Sequence, residues 1–91
     1  MAPYTREQQL MDQLSAARAH LEQLRADRNA LLDANPEIAQ GLQEAVNDFD
    51  YELAMDHYEA VIGPIDEEIA MASHAVHVAR MALDPIDNAQ A

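Results

Sequence analysis

Seven residues spaced alternately four and three apart constrain this chain most: Leu10, Leu14, Ala17, Leu21, Leu24, Arg28 and Leu31. That spacing lines one side of an α-helix, whereas a strand turns its side chains to opposite faces at every step. A second run, Ile65, Ile69, Ala72, Val76, Ala79 and Leu83, keeps nearly the same period. Only two glycines and four prolines punctuate the 91 residues. The fold class this predicts is all-α: an antiparallel helical hairpin or three-helix bundle with heptad-like seams, in one domain spanning 1–91.

The punctuation sets the helix limits. Thr5 to Gln8 reads as a capping box, Thr5 taking a backbone N–H and Gln8 reaching back to Thr5. In D-A-N-P-E, Asn35 is a candidate N-cap and Pro36 stands at the first helical position, where its missing N–H costs nothing. So short a turn predicts that the first two helices are antiparallel neighbours. A proline inside a helix costs about 3 kcal/mol, so Gly63-Pro64 predicts a new helix or a kink. Asp84-Pro85 predicts an end. The expected helices are therefore 5–34, 36–62 and 64–83, with 84–91 as a loose tail, and their lengths make a rod.

Eighteen of the apolar residues are alanine, so the core is thin. A small domain with no cysteine to form a disulfide gains most readily from oligomerisation, and a homodimer is expected. No run is apolar enough for a signal peptide or a membrane span, which predicts a cytoplasmic protein with no membrane association.

Charge narrows the partner. The net charge is −12, and residues 35–69 hold ten acids and no base. A chain of this kind cannot neutralise phosphates, which excludes direct nucleic-acid binding and points to a basic protein partner. On a helical wheel of 36–62, Leu42, Val46, Phe49, Leu53, His57 and Ala60 share one face, expected to meet the core. Tyr51, Met55, Tyr58 and Ile62 lie opposite, on a stripe suited to a contact between molecules, whether with a second copy or a target. Between the two runs an acidic ridge: Glu44, Asp48, Glu52, Asp56 and Glu59. Like charges one turn apart destabilise a helix by about 0.2–0.5 kcal/mol per pair, so an uncompensated ridge is a cost that a basic partner would relieve.

Nothing in the sequence assembles a catalytic or metal-binding set. His74 and His77 are three apart on the last helix, but no further ligands are implied, and no Glu is followed three residues later by His. His57 stands beside Asp56, and His20 has no distinctive neighbours. No glycine-rich phosphate loop or nucleophile–base pair is present, so no enzyme activity and no cofactor are expected. Arg28, at a seam position, is expected either to pair with Glu37 or Glu44 or to snorkel to solvent, with fixing the register as its role.

Two readings of function follow. In the first, a small acidic inhibitor or regulator engages the basic, nucleic-acid-binding surface of another protein, its ridge mimicking the phosphate spacing of DNA. In the alternative, the chain is a homo-oligomeric structural or assembly protein whose acidic face only keeps it in solution.

Overall fold

The computed structural model describes the backbone from Thr5 to Gln90 and the side chains from Thr5 to Leu83. All regular structure among these residues is α-helical: α1 (Arg6–Ala34), α2 (Pro36–Glu44), α3 (Asp48–Val61) and α4 (Gly63–Gln90). The capping box at Thr5 forms in both directions, Gln8 N–H donating to Thr5 Oγ1 and Thr5 N–H to Gln8 Oε1, each at 3.1 Å.

The expected middle helix 36–62 is two helices. Ala45 leaves helical geometry (φ −61°, ψ 120°), and Asn47 restarts it as an N-cap, accepting the Asp50 N–H on its side chain at 2.8 Å. An asparagine that caps its own downstream turn offers the backbone an alternative to the helix, and the chain takes it.

The reversal sits at this break and not at Asn35. Three facing pairs fix the path: Arg28 with Asp66, Glu37 with His57, and Gly41 with Ala54. Their residue numbers total 94, 94 and 95, so one antiparallel register runs through all of them and centres on Asn47. The chain goes out along α1 and α2 and returns along α3 and α4. The principal partner of α1 is therefore α4, and that of α2 is α3. The expected side-by-side pairing of the first two helices is replaced by a joint. At that joint Asn35 donates its side-chain Nδ2 back to the Leu31 carbonyl (2.8 Å), finishing α1 without capping α2.

The second joint, Gly63-Pro64, is almost continuous. Ile62 alone separates α3 from α4, with helical angles (φ −99°, ψ −27°); its N–H donates to the Tyr58 carbonyl and its carbonyl accepts from Asp66 N–H. Pro64 falls in the first turn of α4, where no partner is lost. The helix also continues past the expected stop at Asp84-Pro85, as far as Gln90. A proline there frees one carbonyl, that of the exposed Met81, which water can satisfy. Ala91 lies outside the described residues.

The molecule measures 62 × 24 × 17 Å, with a radius of gyration of 19.4 Å. A compact domain of this length would have about 12 Å. Its core is a narrow line: Leu21, Leu24, Ile38, Ile62, Ile65 and Ala72, flanked by Leu31, Leu32, Tyr58, Val61, Ile69 and Val76. Ile38 and Ile62 are fully buried, and both lie near the two joints. Burying one such side chain contributes about 1.5–3 kcal/mol, so these two pin the bends.

Candidate partner-binding surface

One polar cluster holds α3 in place. Arg28 Nε donates to Asp66 Oδ1 (2.7 Å), Arg28 Nη2 donates to Tyr58 Oη (2.8 Å), and Tyr58 Oη donates to Asp66 Oδ2 (2.7 Å). Three helices meet in this closed triangle. The hydrogen bond from Tyr58, and then that from Arg28, hold the Asp66 carboxyl below its ordinary range. Asp66 in turn, with Tyr58 second, raises the Arg28 guanidinium. The expected partners of Arg28, Glu37 and Glu44, are elsewhere: Glu37 faces His57 Nε2 at 3.6 Å, and Glu44 accepts from Gln40 at 3.0 Å. The place of Asp66 opposite Arg28 depends on a fold-back 19 residues beyond that arginine, at Asn47, which no local spacing in the sequence specifies.

The two apolar faces expected of the middle segment are exchanged. Ile62 is 0 % exposed, and Tyr58 and Met55 are half-buried. Of that stripe only Tyr51 stands in solvent. The face assigned to the core points out instead: Val46 is 86 % exposed, Phe49 67 % and Leu53 54 %, while His57 and Ala60 are also exposed and Leu42 is half-buried. A wheel drawn through 36–62 as one helix cannot survive a reversal at 45–47, because reversal resets the phase. The signal was present in Asn47 and Asp50, an N-cap and first-turn acid inside an apparently helical run.

The acidic ridge is shortened by the same break. Glu44 ends α2, whereas Asp48, Glu52, Asp56 and Glu59 remain together on one side of α3, all exposed. Among the described residues, none of these four pairs with a base. Asp48 lies in the first turn of α3, where the helix dipole offsets part of its repulsion. Beyond Glu59, an open groove of about 530 Å³ at the joint is bordered by Asp66 and Glu67, carrying the acidic side onto α4.

On this geometry the outer surface of α3 carries two parallel strips. Phe49, Leu53 and Ala60 form one; Asp48, Glu52, Asp56 and Glu59 form the other, immediately beside it. No residue of α3 itself is buried. The His74 and His77 rings, 6.5 Å between centroids, lie exposed on α4. Among the described residues no group of three or more His, Asp or Glu is placed to hold a metal. Among the described residues no helix is long and apolar enough to cross a membrane. No protein-family model matches the sequence, and neither curated proteins nor solved structures yield a match.

Proposed function

We propose that this chain is a small, acidic, non-enzymatic binding protein acting inside the cell, an antiparallel helical hairpin whose far end engages the basic nucleic-acid-binding surface of a partner protein. The observation that carries the reading is the exposure of Asp48, Glu52, Asp56 and Glu59 on one side of α3 with no compensating base. Carboxylates one turn apart repeat at about 6 Å, a spacing that a groove built for a phosphate backbone can accept. Held there by the fold, the charges repel one another in the free protein and are relieved against arginine and lysine.

The test compares two sets of neutralisations. One is Asp48→Asn, Glu52→Gln, Asp56→Asn and Glu59→Gln; the other removes as much charge elsewhere through Glu22→Gln, Asp27→Asn, Asp33→Asn and Glu68→Gln. Binding to captured nucleic-acid-binding proteins should disappear for the first set only, weaken steeply with salt in the wild type, and yield to competing duplex DNA. Equal loss from both sets would reduce the effect to net charge and sink the reading.

The alternative, self-assembly, has its own support on α4. Met71, His74, Val78 and Met81 repeat at spacings of three and four along α4, and all four are exposed. Residues 69–83 contain no acid, so a second copy could meet this face without like-charge repulsion. Sedimentation equilibrium of the wild type against Met71→Asp with Val78→Asp tests it. A wild type that stays monomeric at millimolar concentration removes this reading.

A further inference from the structure

We infer that the outer face of α3 is a seat for a basic amphipathic helix of a partner protein, with Phe49 and Leu53 as the apolar anchors. The inference rests on the charge reading above and adds what charge alone cannot supply, namely a reason for the partner to be a protein helix of definite character. Phe49 and Leu53 stand one turn apart on the outer side of α3, both exposed, and the exposed Ala60 continues their strip. Phe49 is 67 % exposed and Leu53 54 %, and none of the described residues buries either of them.

A second copy of this chain does not fit here. The anchors lie beside four carboxylates, and the chain has no lysine or arginine between Arg28 and Arg80. Two α3 faces brought together would press acids against acids, a juxtaposition that disfavours the pairing. A duplex nucleic acid fails on the same charge. An amphipathic helix with lysine or arginine along one flank of its apolar stripe satisfies both strips at once. Its length is bounded too: the strip from Phe49 to Ala60 spans about 17 Å, some three helical turns.

The chain contains no tryptophan, so one placed in a peptide reports binding without background. Two synthetic peptides of about 18 residues, long enough to cover the strip, serve as probes: a leucine/lysine amphipathic helix and a scramble of the same composition with no apolar face. Wild-type protein should bind the amphipathic peptide at least tenfold more tightly than the scramble. Phe49→Ser with Leu53→Ser, both at exposed positions, should erase that preference while leaving the salt-sensitive binding shared by the two peptides. Circular dichroism melts confirm that this variant is folded.

Equal wild-type affinity for the two peptides would overturn the inference, as would a preference that survives in Phe49→Ser with Leu53→Ser. So would a wild-type dimer that this variant converts to monomer, because α3 would then be covered by its own copy. The four ridge neutralisations are measured in parallel. If they abolish binding of the scramble while the serine variant keeps the preference, the charge reading stands and the anchors fall. If they leave binding to both peptides unchanged, the charge reading itself has failed.

Discussion

Along α1 and α4 the two heptad seams meet each other, burying Leu10, Leu21, Leu24, Ile65, Ala72 and Leu83. Along α2 and α3 the same chain buries only Ile38 and leaves Val46, Phe49 and Leu53 in solvent. Both ends are helical, yet only one has a continuous core. The far end is held at its base, by Ile62 and by the Arg28–Tyr58–Asp66 triangle, and past that it relies on small contacts such as Gly41 against Ala54. The comparison teaches that surface left without a core is surface available for contact. The acids are concentrated there as well.

The sharpest way to break the contrast is at the base. Ile62→Ala should cost about 2–4 kcal/mol, as a fully buried isoleucine does, while Leu53→Ala, nine residues earlier, should stay within about 0.5 kcal/mol. Urea unfolding of the two variants decides it, and equal costs would mean that the two faces of α3 are alike. In the wild type, amides of α3 should also exchange with solvent faster than those of α1 and the start of α4.

Next in size is the triangle. Tyr58→Phe removes the hydroxyl that joins Arg28 to Asp66 and should cost about 1 kcal/mol, the partial exposure of the site limiting the loss. Because the Asp66 carboxyl is held below its ordinary range, its stabilisation is complete above the unfolded pKa and disappears as pH falls through the folded one. Wild type should therefore lose stability below about pH 4, and Asp66→Asn should flatten that part of the acid limb. Melts from pH 3 to 7 provide the measurement; identical acid limbs would remove Asp66 from the account.

Relieving the ridge should act in the opposite direction. Three like-charge pairs remain on α3 (Asp48–Glu52, Glu52–Asp56 and Asp56–Glu59), so neutralising all four acids should raise stability by about 1 kcal/mol. Added salt should do part of the same for the wild type and little for the neutralised variant. A melting temperature unmoved by salt would show that the acids are compensated in the folded protein. The smallest expected effect is a gain of about 0.5 kcal/mol from Gly41→Ala, since the new methyl would meet Ala54 Cβ at an ordinary 3.7 Å and the helix loses a glycine. That gain would stiffen the far end alone, and hydrogen exchange would place it there.

How far the sequence determined this protein follows the range over which each signal acts. Helix periodicity, the Thr5 capping box and the excess of acid are local or additive properties of neighbouring residues. They specified an all-helical, elongated, acidic chain with the ridge of α3 in solvent. The point of reversal was not of that kind. Asn35-Pro36 and Asn47-Asp48 are both acceptable helix starts, and local propensity does not say which one turns the chain back and which one merely bends it. The decision came from pairing: folding back at Asn47 lets the seams of α1 and α4 bury each other and sets Asp66 opposite Arg28. With that choice the phase of α3 was fixed, and Ile62 and Tyr58 turned inward while Phe49 and Leu53 turned out. A helix has two apolar faces as often as its sequence allows, and which face is buried depends on where the other helix lies.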